Sequence, residues 1–299
     1  MSAPPAADPD EFRFDRQAVA AAFDRASGTY DAAAHLQREV RAELLGRLDY
    51  FRLAPATVLD LGAGTGATAA ELARRYRRAR VLALDIAPGM LRAARRRQRP
   101  WRRFGRICAD AHALPLRSGS VDLVFSSLML QWSDRPERVF AECARVLKPG
   151  GLLLFSTFGP DTLEELRAAW ATVDSTPHVS VFPGMPGLAA ALQHAHLAEP
   201  VLDAERLVRH YPDVRALLQE LKTIGARNAA AARARGLTGP RTLGRMIASY
   251  EQRREARGIP ATWEIIHGAA FGAGHVEDPA VPGEVHVPIS GLKIRARES

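Results

Sequence analysis

The chain has 299 residues, of which 47% are hydrophobic and 25% charged, and its formal net charge is +8 at pH 7. This length and apolar content exclude a disordered protein and fit one sizeable α/β domain with an appended subdomain. No apolar run approaches the ~20 residues that span a bilayer. The first residues carry acids and prolines where a signal peptide needs a basic start and an apolar core. We therefore expect a cytoplasmic protein that does not cross a membrane.

The two cysteines and the excess positive charge narrow the function classes only in part. Cys108 and Cys143 lack the spacing of a zinc site or a disulfide framework, so no metal is predicted and both are expected to be small core residues. The charge favours a polyanionic partner, such as a nucleic acid, a membrane surface or an acidic protein, without distinguishing among them.

The N-terminal part is predicted to be a disordered segment followed by helices. Residues 1–13 are rich in Pro and Ala, and residues 14–52 carry apolar side chains at helical intervals. Tyr30 and Gln37 are two helical turns apart, so both are expected on one helix face, as a lid over a cleft. The alternative is that either side chain belongs to the helix surface.

Residues 53–158 alternate strand-like and helix-forming stretches. The strand-like runs are ATVLDL, VLALDIA, FGRICADA, VDLVFSSLML and GLLLFSTF. Helix formers such as ATAAELARRY, PGMLRAARRRQ and RPERVFAECARVL separate them. This order predicts an α/β fold, a mainly parallel sheet with right-handed crossovers and helices on both faces.

Residues 159–272 are predicted to add helices and the remaining strands, before a C-terminal tail at 273–299. The expected helices are near 161–174, 186–196, 213–227 and 240–257, with an extended segment at 201–209 and a strand pair from 262–271 and 284–289.

A glycine-rich loop follows the first strand-like run. Asp60, Gly62, Gly64 and Gly66 give the pattern D-x-G-x-G-x-G. Glycines there let a ligand approach the backbone at the carboxyl edge of the sheet. The loop alone is a weak signal, because packing turns and dinucleotide enzymes have similar glycines.

Acidic residues end three successive predicted strands. Asp60 could hold the ammonium of a methionine moiety, Asp85 the two ribose hydroxyls, and Asp110 the adenine amino group beside the backbone N–H of Ala111. Any one of them could instead cap a helix or face solvent. Their joint occurrence indicates S-adenosylmethionine rather than a dinucleotide.

The segments LDLGAGTG, ALDIAPGML, ADAHALPL and RVLKPGGLLLFST resemble the ordered motifs of class I S-adenosylmethionine-dependent methyltransferases, which have a Rossmann-like fold. The resemblance implies a cofactor site with Asp85 and Ile86 at the ribose, Met90 on the adenine face, and Ser126 and Ser127 beneath the sulfonium. Met90 could instead be a core residue. The full predicted set is Tyr30, Gln37, Asp60, Gly62, Gly64, Gly66, Asp85, Ile86, Met90, Asp110, Ala111, Ser126 and Ser127.

Gln131 and Trp132 follow the predicted fourth strand and could form the floor of an acceptor pocket, although Trp132 could also pack a helix. Methyl transfer from a sulfonium is an in-line displacement, so alignment and exclusion of water matter more than a strong base. A carboxylate acceptor is already ionised near neutrality and needs no base. We therefore predict that Gln131, Trp132 and Tyr30 position the acceptor, and we assign no general base.

Four longer blocks carry a narrower resemblance: FDRASGTYDAAAHLQREV, SSLMLQWSDRPERVFAECARVLKPGG, LKTIGARNAAAARARGLTG and YEQRREARGIPATWEIIHGAAFG. They are similar to the malonyl-acyl carrier protein O-methyltransferases of biotin synthesis. The last two lie outside the generic fold, which implies that 159–272 recognises the acceptor. The resemblance implies methylation of the free malonyl carboxyl, with S-adenosylhomocysteine as the second product and malonyl-coenzyme A as an alternative substrate.

Acyl carrier protein is acidic, so the resemblance also implies a docking face among the arginine clusters at 74–80, 95–103 and 227–257. The alternative is that these arginines only solvate helices. A methyltransferase of another small-molecule or quinone acceptor, and a noncatalytic cofactor-binding assembly factor, remain open. Neither a nucleic acid nor a membrane is expected as a partner, because basic and aromatic residues are not interleaved and SSLML replaces an NPPY-like tetrapeptide.

Overall fold

The strand-like runs of the sequence form a single seven-stranded sheet. The computed structural model describes residues 16–99, 101, 103–174, 176, 178–224 and 239–273. The strands are β1 (Thr57–Leu61), β2 (Arg80–Asp85), β3 (Gly105–Cys108), β4 (Val121–Ser127), β5 (Leu147–Phe158), β6 (Ala198–Tyr211) and β7 (Ile259–Phe271). The predicted segments 1–13, 225–227 and 284–289, and the tail beyond 273, lie outside the described residues.

The sheet has the order β3-β2-β1-β4-β5-β7-β6. Neighbours from β3 to β5 pair in parallel, whereas β7 is antiparallel to both β5 and β6. The predicted mainly parallel Rossmann-like sheet is therefore confirmed. The chain order reverses between β1 and β4, and ligands of such sheets bind beside that point, at the carboxyl ends of the strands.

Helices cover both faces of the sheet. They are α1 (Arg16–Ala26), α2 (Tyr30–Ala33), α3 (His35–Arg47), α4 (Ala67–Arg75), α5 (Pro88–Arg95), α6 (Pro136–Val146), α7 (Glu164–Ala171), α8 (Met185–His194), α9 (Val214–Thr223) and α10 (Pro240–Glu251). Within the described ranges, none of them has the length and apolar character needed to cross a membrane.

The strands bury alternate side chains in two separate cores. Leu59 of β1 packs in a core with α6 and α8, while its neighbour Val58 packs in the core with α3 and α4. Phe155 and Leu154 of β5 divide between the same two cores. Because successive side chains of a strand point to opposite faces, apolar residues at both positions require helices on both sides.

The N-terminal extension is broken into three helices rather than one. The Ser27 hydroxyl donates to the backbone carbonyl of Asp24 at 2.8 Å and the Thr29 hydroxyl to that of Ala26 at 3.3 Å. Such local bonds compete with helix continuation. A second break falls at Ala34, whose ψ of 55° is not helical. Tyr30 and Gln37 therefore belong to different helices, and the reasoning from one continuous helix was wrong.

The C-terminal half adds β6, β7 and a third core. The strand predicted at 262–271 is confirmed within β7, and it pairs with β6 on one side and β5 on the other. Tyr250 of α10 is fully buried, and its hydroxyl donates to the backbone carbonyl of Pro260 at 2.9 Å. Trp170, Tyr250 and Trp263 belong to this third core, which joins α7, α9 and α10 to β7.

The two cysteines differ in their burial. Cys143 of α6 is buried, as predicted. Cys108 is exposed, so its prediction as a core residue was wrong. It ends β3, a four-residue strand at the edge of the sheet, whose side chains are covered on neither face as fully as those of the central strands.

Candidate active site

The loop after β1 needs glycine at two of its positions for different reasons. Gly62 has φ of +77°, and a Cβ there would lie 2.5 Å from the Cβ of Met129. Gly66 has the same φ, and its Cβ would lie 2.6 Å from that of Ala94 in α5. The backbone N–H groups of Gly62 and Ala63 both donate to the carbonyl of Leu84 at 2.9 Å, which ties the loop to β2.

A large cleft, the main cavity, opens beside this loop at the carboxyl ends of β1, β2 and β4. It holds about 1050 Å³ counted out to its open mouth. The predicted site residues that line it are Tyr30, Gln37, Gly62, Gly64, Asp85, Ile86, Met90, Asp110, Ala111, Ser127, Gln131 and Trp132. The fold thus brings together twelve predicted residues from six separate stretches of the chain.

Three predicted cofactor residues, Asp60, Gly66 and Ser126, do not line this cavity. Gly66 packs against α5, and the buried Ser126 hydroxyl donates to the carbonyl of Leu61 at 3.0 Å, joining β4 to β1. Neither residue lines the main cavity, and direct cofactor contact by these two stays a prediction. Both positions follow the motif pattern, but Gly66 makes room for the close packing of α5, and the Ser126 hydroxyl bonds within the sheet.

Asp60 lies in β1, just before the loop, and is 1% exposed. Burial, reinforced by the nearby Asp85 carboxylate, raises the pKa of Asp60 to about 8. Its Oδ2 atom is buried without a hydrogen-bond partner among the described residues. An unpartnered buried acceptor is costly, which makes this atom a natural place for a donor to bind.

Asp85, at the end of β2, is fixed by the backbone. Its Oδ2 accepts from the N–H of Gly64 and its Oδ1 from the N–H of Ala87, both at 2.8 Å. Burial raises the pKa of Asp85, and these N–H groups oppose the rise. Each oxygen can accept a further hydrogen bond, and Asp85 lines the cavity, so the carboxylate can accept two hydroxyl groups there.

Asp110 is the centre of a polar cluster that the sequence analysis found only in part. Its Oδ1 accepts from the backbone N–H of His112 at 2.9 Å and contacts the Nδ1 of the same ring at 2.6 Å. Its Oδ2 accepts from Arg16 of α1 at 3.0 Å. Burial would raise the pKa of Asp110, but the bonds from His112 and the charge of Arg16 lower it overall. His112 carried no sequence signal beyond its place in ADAHALP, and Arg16 carried none.

Tyr30 and Gln37 both reach the main cavity, as predicted, although from separate helices. Burial, with the charges of Asp85 and Asp31, raises the pKa of Tyr30, so its hydroxyl stays protonated. Phe23 of α1 meets the Trp132 ring edge-on at 5.1 Å between centroids. Trp132 therefore both packs against a helix and lines the cavity, so its two predicted roles are compatible.

A second, polar cavity continues from the main cavity past the glycine loop. It shares Tyr30, Gln37, Gly62, Gly64 and Ser127 with the main cavity. Arg38, Arg41 and Arg97 bring three cations to it, together with the start of α4. They outnumber the one acid among its described lining residues, Asp31, which pairs with Arg97 at 2.6 Å. Burial and the neighbouring Arg97 lower the pKa of Arg41. This arrangement favours an anion.

A third, mainly apolar pocket, the side cavity, lies on the other side of Gln131 and Trp132. It holds about 550 Å³ counted to its mouth and shares Gln131, Trp132, Phe158 and Trp263 with the main cavity. Gln131 donates from Nε2 to the carbonyl of Leu128 at 2.7 Å, and its Oε1 is buried with no hydrogen-bond partner among the described side chains and backbone groups. Leu128 has φ of +51°, a conformation that is rare outside glycine and often found at functional sites.

No group of three or more His, Cys, Asp or Glu side chains is placed to hold a metal ion in the part of the chain that the structure describes.

The chain is similar to known methyltransferases. The family model described as "Methyltransferase domain" matches residues 59–155. A curated relative from Laribacter hongkongensis, named malonyl-[acyl-carrier protein] O-methyltransferase, is 48% identical and covers 88% of this chain and 91% of its own. A relative of the same name from Halorhodospira halophila is 43% identical over 96% and 99% of the two chains. The chain belongs to the malonyl-[acyl-carrier protein] O-methyltransferase family.

Solved structures confirm the class I methyltransferase fold. An S-adenosylmethionine-dependent methyltransferase from Thermotoga maritima superposes with a TM-score of 0.52 at 17% identity, covering 85% of this chain and 99% of that one. The YcgJ protein from Bacillus subtilis gives a TM-score of 0.56 at 17% identity, with 80% and 100% coverage. At these identities the likeness shows the fold alone.

The family relationship explains why the last two sequence blocks were informative. The block that begins with LKTIG supplies Ile224 to the main cavity, and the block that contains ATWEI supplies Trp263 to both the main and side cavities. The predicted family is therefore confirmed. Ile224 and Trp263, which belong to the described part of these blocks, lie against the site.

Proposed function

We propose that this protein transfers the methyl group of S-adenosylmethionine to the free carboxyl of a malonyl thioester carried by acyl carrier protein, giving the methyl ester that begins pimeloyl synthesis for biotin. The observation that carries the proposal is the meeting of two cavities at Gln131 and Trp132. One has the acids and glycines of a nucleotide site, and the other is apolar. A methyl group bound in the first would face an acceptor in the second.

The residues of the main cavity fit this cofactor. Asp85 would accept the two ribose hydroxyls, while the Asp110 carboxylate and the Ala111 N–H would meet the adenine edge. Met90, which is 1% exposed yet lines the cavity, would pack on the adenine face. When bound, S-adenosylmethionine supplies an electrophilic methyl group on a positively charged sulfur.

The methionine end of the cofactor would lie toward the polar cavity. The unpartnered Oδ2 of Asp60 would accept from its ammonium group, directly or through water. Arg41, which burial places at a disadvantage as a cation, would gain a partner in the cofactor's carboxylate. These assignments give a partner both to the buried acid that precedes the glycine loop and to the half-buried base of the polar cavity.

The acceptor side needs positioning rather than a base. A malonyl carboxylate is ionised near neutrality, so its oxygen can attack the methyl group directly. Trp132, Phe158 and Trp263 would exclude water around it, and the second N–H of the Gln131 Nε2 would donate to it. Tyr30, which remains protonated, would donate a hydrogen bond at the junction rather than remove a proton.

Transfer of labelled methyl from S-adenosylmethionine to malonyl-acyl carrier protein tests the proposal. Acetyl-acyl carrier protein is the control, because it differs in lacking the free carboxyl. We expect label on the malonyl form alone, in a base-labile ester. Binding of the cofactor without transfer to any acyl thioester would contradict the proposed activity and favour a noncatalytic role.

The docking face for an acidic carrier is proposed at the end of α5 and the loop after it. Arg95, Arg96, Arg99 and Arg103 are exposed and form no ion pair with another described residue. Arg97 of the same stretch reaches the polar cavity, which places this surface beside the cleft. By contrast, Arg77 and Arg78 precede β2, at the opposite edge of the sheet from the cavities.

This geometry provides a matched pair of variants. Arg95→Glu with Arg96→Glu should raise the KM for malonyl-acyl carrier protein about tenfold at low salt, whereas Arg77→Glu with Arg78→Glu makes the same charge change at the wrong edge and should not. Malonyl-coenzyme A should respond less to either pair, and added salt should weaken use of the carrier more than use of coenzyme A. Equal effects of the two pairs would contradict a local docking face.

A further inference from the structure

The side cavity has one ionisable group among its described lining residues, His178. The rest of the lining is apolar or neutral, with Leu163, Leu166 and Phe182 forming much of the wall. His178 comes from the loop after α7, a stretch that the sequence analysis did not single out. It is therefore the described side chain that can bring positive charge into this cavity.

The His178 ring is held in a fixed orientation. It stacks on Trp170 with 3.7 Å between ring centroids and 13° between planes. Its Nε2 lies 2.9 Å from Oδ1 of Asp174, and that oxygen also accepts from the N–H of Thr176 at 2.9 Å. Trp170 is itself buried in the third core, so the ring rests on a rigid support.

Asp174, the hydrogen-bond partner of His178, remains ionised. The N–H of Thr176 is the main cause that lowers the pKa of Asp174, and the bond to His178 adds to it. With Nε2 donating to Asp174, the imidazole donates from Nδ1 when it carries its second proton. Nδ1 makes no hydrogen bond to another described residue. A carboxylate that binds one ring nitrogen, as Asp174 does here, is a common means of orienting a functional histidine.

The carboxylate of the proposed acceptor would need a group such as the His178 imidazole in this cavity. A carboxylate that enters an apolar cavity loses its hydration, at a cost of several kcal/mol unless a cation or donors replace the water. An acetyl group carries no such charge and would enter without this cost. A cavity of this composition would therefore select against the proper acceptor unless one of its walls supplied a compensating charge.

We propose that His178 binds the free carboxylate of the acceptor in the side cavity, and so selects an anionic acyl thioester over a neutral one. This inference rests on the proposed function, whose acceptor is a malonyl thioester. Asp174 and Trp170 act through His178: the first fixes the ring and balances its charge, and the second supports its face.

Binding of two small probes to the full chain tests the inference. Malonyl-pantetheine and acetyl-pantetheine are titrated into protein saturated with S-adenosylhomocysteine, which permits no turnover. We expect the wild-type protein to bind the malonyl probe more tightly. His178→Gln should weaken malonyl binding tenfold or more and leave acetyl binding within twofold, because the neutral probe does not use the charge.

Two further variants separate charge from packing. His178→Phe keeps an aromatic face on Trp170 while removing both ring nitrogens, and should lose the same malonyl preference. His210 forms an equivalent pair with Glu255 at 2.9 Å but lines none of the three cavities, so His210→Gln should change neither probe. Thermal melting of each variant establishes that it is folded.

The outcomes distinguish this inference from the proposed function. Retention of the malonyl preference in folded His178→Gln and His178→Phe would overturn the role of His178, even if the wild-type protein methylates malonyl-acyl carrier protein. Failure of the wild-type protein to transfer methyl would overturn the proposed function. If the wild-type protein does transfer methyl, we also expect His178→Gln to raise the KM for malonyl-acyl carrier protein at least tenfold and to leave the KM for S-adenosylmethionine unchanged.

Discussion

Replacement of Asp60 by Asn tests whether this buried acid binds the cofactor's ammonium group. Asp60 has a pKa of about 8 in the cofactor-free protein, because it is buried beside Asp85. With that pKa, roughly 1% of it is ionised at pH 6 and about half at pH 8. If the ammonium binds only the ionised carboxylate, the energy of ionising Asp60 opposes cofactor binding at low pH.

The expected magnitude follows from those fractions. Affinity of the wild-type protein for S-adenosylhomocysteine, which has the same ammonium group, should rise about 50-fold between pH 6 and pH 8. In Asp60→Asn this rise should vanish, so the variant should differ little from wild type at pH 6 and bind much more weakly at pH 8. Isothermal titration calorimetry at pH 6, 7 and 8 measures both effects. The pKa of Asp85 is raised by burial as well. Because Asp85 is unchanged in Asp60→Asn, any pH dependence of affinity that the variant keeps can be assigned to Asp85 rather than to Asp60.

The stability of the cofactor-free protein gives an independent readout with a definite sign. The pKa of Asp60 is raised from 3.8 to about 8 on folding, so between these values the folded state holds a proton that the unfolded state has lost. Unfolding is therefore favoured as pH rises through this window. Asp60→Asn should remove that part of the pH dependence and raise the Tm at pH 8 more than at pH 5. If the variant keeps the wild-type pH dependence of both affinity and Tm, the reasoning about Asp60 is wrong.

Three further predictions concern the loop, the acceptor floor and the third core. Gly62→Ala should lower the free energy of unfolding by about 2 kcal/mol more than Gly64→Ala does. Both glycines have a positive φ, but only Gly62 lacks room for a Cβ. Equal shifts of the two variants in urea unfolding would contradict the predicted clash. Trp132→Ala should lower kcat at least tenfold in the methyl-transfer assay and leave the cofactor Kd, measured by calorimetry, nearly unchanged. A loss confined to cofactor binding would argue against the place of Trp132 on the acceptor side. Tyr250→Phe should reduce the free energy of unfolding by about 1–2 kcal/mol, because it leaves a buried backbone carbonyl without its donor; an unchanged urea midpoint would show that this bond contributes little.

Short-range patterns were enough to predict most of the residues that line the main cavity. Asp85 and Asp110 were found because parallel strands bring their carboxyl ends to one edge, so residues far apart in sequence meet at a predictable place. The glycine positions were found, but their uses were not. Gly66 and Ser126 follow the motif, whereas their packing against Ala94 and Leu61 depends on neighbours that the sequence does not reveal.

The sequence by itself determined that a mainly parallel α/β sheet forms and which acids end its strands, because strand and helix periodicities and glycine turns are local properties of the chain. Only the tertiary structure decided which distant groups share a cavity. Arg16 reaches Asp110 across 94 residues, and Trp263 closes two cavities from an antiparallel strand. The tertiary structure also stacked His178 on Trp170 and made His178 part of the lining of the side cavity. These contacts follow from helix packing and strand register, which depend on the whole core rather than on any segment of sequence.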